Sequence, residues 1–186
     1  MGALSYTLFD TALGPCGLAW SANGITGVQL PEADEARTRS RLLRRLGRAE
    51  QARPPTAVQG AVDGIAQLLR GQATDLGTIT LDMTGVPTFN RRVYDIARGI
   101  APGRTLTYGD IAARLGDHGL ARAVGQALGN NPFAIIVPCH RVLAARGKPG
   151  GFSANGGVQT KMRLLAIEGA RVGDAPDLFG PGPPDL

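Results

Sequence analysis

The 186-residue sequence has two cysteines, two histidines and no run of about 18 apolar residues. The missing apolar run excludes a membrane-spanning helix. Met1 to Phe9 carries no basic residue ahead of an apolar stretch, so no secretory signal is expected. Tyr6 stands where a myristoylation signal would need Ser or Thr. Cys16 and Cys139 are too few and too far apart for a disulfide-rich scaffold, and a reducing cytoplasm suits them. Hydrophobic content of 43% against 19% charged residues is that of a globular chain. Its length fits one domain or two small ones.

Charge is unevenly placed. Residues 1–85 hold eight Arg and eight Asp or Glu, whereas residues 86–171 carry a net charge of +8. Residues 172–186 hold three Asp and no basic residue. A basic second part is the footprint a polyanionic partner would leave, though drift of surface charge gives the same pattern.

Leu4 to Phe9 alternates apolar and polar residues, and Gly17–Ser21 with Gly24–Leu30 reads as a hairpin around Asn23-Gly24. Arg37 to Leu46 has helical composition, with five arginines on a solvated face. Val58, Val62, Ile65, Leu68 and Leu69 recur at helical spacing up to Gly71, and Thr78–Leu81 returns to strand. Residues 1–85 thus read as an α/β domain of a small sheet plus helix.

A mainly helical domain follows over 86–171. Arg91 to Ile100 forms its first helix. Thr107 and Asp110 make a variant capping box ahead of Ile111, Ala112 and Leu115. Gly116–Gly119 is a turn, and Leu120 to Leu128 a second short helix. This pair has the length of a helix-turn-helix and equally that of an ordinary helical hairpin.

Ile135-Ile136-Val137 reads as a short buried strand leading into Pro138-Cys139-His140-Arg141-Val142. A cysteine flanked by Pro, His and Arg is a candidate nucleophile, because cationic neighbours favour the reactive thiolate. A buried structural thiol is the other reading. Cys16, between strand residues and glycines, is expected to be structural.

The Pro138–Val142 motif, after Asn131-Pro132 and Ile135-Ile136-Val137, resembles the active-site segment of the O6-alkylguanine-DNA alkyltransferases. Supporting matches are Thr105–Ala112, Ala121–Gly125 and Lys161 through Leu164-Leu165 to Glu168-Gly169. The resemblance implies a winged-helix-like helix-turn-helix domain with a short strand carrying the cysteine. It also implies single-use repair of alkylated guanine in duplex DNA, without a cofactor. Cys139 would accept the alkyl group. His140 would act on the thiol through a water, and Glu168 would orient His140. Asn131 would hold the turn, and Tyr108 would donate to the leaving guanine and help rotate the nucleotide. Arg122 would fill the gap left by the extruded base, with Ala121 and Gln126 beside it on the DNA. Ser153 would contact the guanine oxygen, and backbone groups of Val142, with Arg141, would line the substrate pocket.

Three positions depart from the family pattern. Asn90 stands where Gln is common, Tyr94 where Trp is frequent, and Phe152 in place of a common Tyr. The loop from Phe152 to Gly157 is also longer than the shortest family loops. Some relatives hold zinc through N-terminal Cys and His ligands, but residues 1–85 contain one Cys and no His, so no metal is expected. A monomer acting in a bacterial cytoplasm is expected. The alternative is a lesion-binding sensor that performs no transfer. The Pro- and Gly-rich residues 172–186 read as disordered, and Asp177-Leu178-Phe179 faintly resembles motifs that dock on a sliding clamp.

Overall fold

The computed structural model describes residues 3–170; the tail and its clamp-like motif lie outside the described residues. Strands β1 (Ser5–Thr11), β2 (Gly14–Ser21), β3 (Gly24–Gln29) and β4 (Glu50–Gln51) form one sheet in the order β3-β2-β1-β4. Neighbours are antiparallel except for the short parallel β1–β4 pair.

Both faces of the sheet are covered. Helix α1 (Glu35–Leu46) sets Leu42 against Tyr6 and Ala19 on one face. Cys16, Leu18 and Trp20 point to the other, where α2 (Thr56–Leu69) packs Val58, Val62 and Ile65. This double cover explains why Cys16 to Trp20 is buried without a break instead of alternating. Gly24 (φ +136°) opens β3, one residue past the turn; a Cβ there would meet the Thr80 carbonyl oxygen at 2.7 Å.

The outer edge of β3 meets first the end of its own half and then the second half of the chain. Ile25 N donates to Thr80 O, and Asp82 N donates back to Ile25 O. Farther along, Val28 N donates to Pro132 O. Thr78–Leu81, expected as a strand, is instead a turn with one isolated bridge between Leu81 and Ile25. Too few of its backbone groups meet β3 to extend a ladder.

The second half contains α3 (Thr88–Arg98), β5 (Leu106–Thr107), α4 (Tyr108–Arg114), α5 (Ala121–Gly129), β6 (Val142–Leu143) and α6 (Gly157–Ile167). Helix α3 starts three residues earlier than its apolar spacing suggests, directly after Pro87. The Thr107–Asp110 capping box forms in both directions, Asp110 N to Thr107 Oγ1 at 3.0 Å and Thr107 N to Asp110 Oδ2 at 2.7 Å. Tyr94, where relatives often carry Trp, donates to Ala127 O on α5 and meets Phe133 edge-on. A single core cluster runs from Cys16 and Leu18 through Val93 and Val124 to Val137 and Leu164.

Candidate active site

Residues 130–143 are organised by one side chain. Asn131 Nδ2 donates to Val137 O at 2.8 Å, and Asn131 Oδ1 accepts from Phe133 N at 2.9 Å. These bonds close a compact turn with Ile135 at φ +72°, a backbone region costly for a β-branched residue. Ile135-Ile136-Val137 is therefore not the expected strand. Cys139 opens a 3-10 turn (Cys139–Arg141), and the strand β6 follows it, paired in parallel with β5. The overall α/β-then-helical arrangement matches expectation, and the cysteine precedes its strand.

Cys139 lines two cavities. One, of 540 Å³, is bounded by Tyr108, Ala121, Arg122, Gln126 and Ser153. The other, of 230 Å³, is bounded by Arg41, Arg45, Asn131 and Ala154. Phe152 and Ser153 border both. Burial pushes the Cys139 thiol up, while the Asn131 side chain, the Lys161 ammonium and nearby backbone N–H groups pull the other way.

His140 is completely buried, with Nε2 2.9 Å from Glu168 Oε1. Burial is the largest influence on the imidazole and lowers its pKa, so the ring is neutral near pH 7. Burial alone would raise the Glu168 carboxyl, but bonds and charges from His140 and Arg141 bring it down to about 2. An ionised carboxylate only accepts, so Nε2 of the neutral ring carries the proton and Nδ1 keeps its lone pair. Nδ1 is buried and has no hydrogen-bond partner among the described residues.

Arg141 and Val142, expected in the pocket, are placed elsewhere. Arg141 Nε and Nη2 donate to the two Glu168 oxygens, and Nη1 donates to Ile100 O. The 3-10 turn sends successive side chains around its axis, which carries the guanidinium away from Cys139. Val142 is fully buried, and its carbonyl accepts from Lys161 Nζ at 2.6 Å. Ser153, Tyr108, Arg122, Ala121 and Gln126 do meet around the larger cavity.

Residues 88–170 match the family model described as the DNA-binding domain of 6-O-methylguanine DNA methyltransferase. A methylated-DNA–protein-cysteine methyltransferase of Methanothermobacter thermautotrophicus is 36% identical over 153 residues, 82% of this chain and 78% of the relative. The chain belongs to the methylated-DNA–protein-cysteine methyltransferase family. Similarity in structure runs along nearly the whole chain. The crystal structure of Mycobacterium tuberculosis O6-methylguanine methyltransferase aligns with a TM-score of 0.71 and 36% identity, covering 94% of this chain and 96% of that one. M. tuberculosis OGT in complex with DNA aligns at 0.70 and 35% identity, covering 91% and 96%.

Three residues around the Cys139 segment of this methyltransferase family member escape a reading of the sequence. Lys161 is fully buried, holds Val142 O, and sits 5.7 Å above the Tyr108 ring. Burial brings its ammonium down to about 8. Its membership in a matching segment was the only signal. Arg41 and Arg45 lie on the solvated face expected of them, and from it they also donate to the carbonyls of Ser153 (2.9 Å) and Asn131 (3.4 Å). Their separation of one helical turn was visible, but the partners were not.

Proposed function

We propose that this chain repairs DNA by direct reversal, moving the alkyl group of an O6-alkylguanine in duplex DNA onto Cys139. The observation that carries the reading is the Cys139–His140–Glu168 arrangement: a thiol at a cavity floor, next in sequence to a neutral imidazole whose tautomer a carboxylate fixes. Nδ1 is the nitrogen left to draw the thiol proton, through a water as in the family.

Helix α5 enters the DNA, and the damaged nucleotide turns out into the larger cavity. Extrusion costs a few kcal/mol, less for a damaged base. Arg122, exposed at the rim, takes the vacated place in the stack, a role suited to a planar guanidinium. The sulfur attacks the alkyl carbon in line, so a C–S bond forms as the carbon–O6 bond breaks. Tyr108 donates towards guanine, which leaves as the neutral base. Burial, then the Cys139 charge, raise the Tyr108 hydroxyl, keeping it protonated and able to donate. The lysine over its ring supports the thiolate in the same step. The resulting thioether does not hydrolyse, so each molecule acts once. We place this reaction on chromosomal DNA in the cytoplasm, with the chain acting as a monomer.

Incubation with duplex containing O6-methylguanine should add one methylene of mass to the peptide holding Cys139, with none added in Cys139→Ala. Tight lesion binding without any mass gain would establish a sensor in place of a repair protein.

A further inference from the structure

The segment between β6 and α6 is rich in glycine, and Gly147, Gly150 and Gly156 all lie at positive φ. Such a segment has high conformational entropy and keeps one shape only where something holds it. Side chains hold its backbone at three points among the described residues. Lys161 reaches Gly151 O at 3.5 Å, Thr160 reaches Asn155 O, and Arg41 Nη2 reaches Ser153 O at 2.9 Å. The first is long, and the second lies next to α6. Arg41 alone crosses from the N-terminal half to the middle of the loop.

That arginine is itself held in place. Its Nη1 lies 3.1 Å from Glu32 Oε1, and Glu32 Oε1 also accepts from Gln29 Nε2 at 3.2 Å. Glu32 N donates to the fully buried Thr38 Oγ1 at 2.9 Å. A continuous set of bonds thus runs from β3 through Glu32 and Arg41 to the Ser153 carbonyl. Ser153 and Phe152 are the residues of this loop that border both cavities beside Cys139.

We infer that Arg41 is a positioning residue which fixes the Phe152–Ser153 partition and thereby limits the size of alkyl group that fits at Cys139. This rests on the alkyl-transfer reading above. Releasing the tether lets the partition move into the smaller cavity, enlarging the pocket at the expense of close contact with a methyl group. A lysine carries its donors on a single nitrogen in place of a two-sided fork, so it restores the tether only in part.

The test uses the full chain as wild type, Arg41→Ala and Arg41→Lys, on duplexes carrying O6-methylguanine or O6-benzylguanine. In Arg41→Ala the methyl transfer rate should fall about fivefold, the loss of one charge-assisted bond, while the benzyl-to-methyl ratio rises by a similar factor. Amide exchange in residues 150–155 should quicken in Arg41→Ala, and Arg41→Lys should fall between the two on both readouts. An unchanged ratio overturns the inference, whether or not the absolute rates fall, because a merely structural defect slows both substrates alike. Unchanged exchange in 150–155 overturns it equally. If the wild type transfers neither group, the repair reading fails, and the exchange measurement alone decides whether Arg41 holds the loop.

Discussion

Arg141 grips Glu168 with two parallel bonds, Nε to Oε2 and Nη2 to Oε1, each 2.8 Å long. Both side chains are almost wholly buried, at 6% and 3% exposure. Glu168 directly follows the last residue of α6, a helix end whose free carbonyls repel a carboxylate. The guanidinium offsets that repulsion and leaves Oε1 able to hold His140 as well. On the alkyl-transfer reading proposed above, Arg141 acts on the chemistry at second hand, by keeping ionised the carboxylate that holds His140.

Glu168→Gln should strand the Arg141 charge in the interior while keeping much of the side-chain shape. Breaking one side of a buried pair costs about 3 kcal/mol, and losing a fixed imidazole tautomer costs transfer about a hundredfold. Denaturant unfolding and single-turnover transfer read the two effects separately. An unfolding midpoint equal to that of the wild type would remove the claim that the pair is a stability element.

Acid should expose the same carboxylate. Its folded pKa of about 2 lies below the ordinary 4.5. A depressed carboxyl contributes stability that is complete above its unfolded pKa and lost as pH falls through its folded pKa. The loss therefore spans roughly pH 4.5 to 2 and totals on the order of 3 kcal/mol. Equilibrium unfolding across this range should show the acid limb in the wild type and a shallower one in Glu168→Gln. Equal slopes would assign the limb to other carboxylates.

What the sequence made legible was local. The Thr107–Asp110 spacing announces α4 because both partners of the capping box lie within one turn of chain. The Val58–Leu69 periodicity announces α2 for the same reason. Ile135-Ile136-Val137 misleads because a short apolar run satisfies a buried turn as well as a buried strand, and the choice is made by Asn131 bonding both ends. Arg41 and Ser153 are separated by 112 residues, so no pattern in either neighbourhood points to the other. Arg141 looked like a pocket residue because its direction depends on the 3-10 turn, which periodicity does not reveal.

Asn131→Ala should cost more than an ordinary turn substitution. It leaves the buried Phe133 N without its partner and takes one of two donors from Val137 O, which still accepts from Cys139 N at 2.8 Å. One orphaned backbone N–H and one weakened carbonyl cost about 1–3 kcal/mol in total. Unfolding measurements give the cost directly, and amide exchange at Phe133 should accelerate. A loss well under 1 kcal/mol would mean the turn holds without this side chain.

Lys161→Met separates the charge of Lys161 from its bulk. The ammonium is among the influences that lower the Cys139 thiol, so its removal should raise the pH at which the thiol ionises. Stability should respond in the opposite sense to charge. The lysine titrates near 8 when folded against an ordinary 10.5, so burial penalises its charged form below pH 8. Between about 8 and 10.5 the unfolded chain binds the extra proton, and wild-type stability gains with rising pH. The methionine variant carries no such penalty and lacks that gain, while the Val142 carbonyl it leaves unpaired costs about 1–2 kcal/mol. Iodoacetamide labelling of Cys139 as a function of pH, read by peptide mass, gives the thiol midpoint in each protein. Coincident midpoints would show that the Lys161 charge does not act on the thiol, reducing its part to holding the Val142 carbonyl.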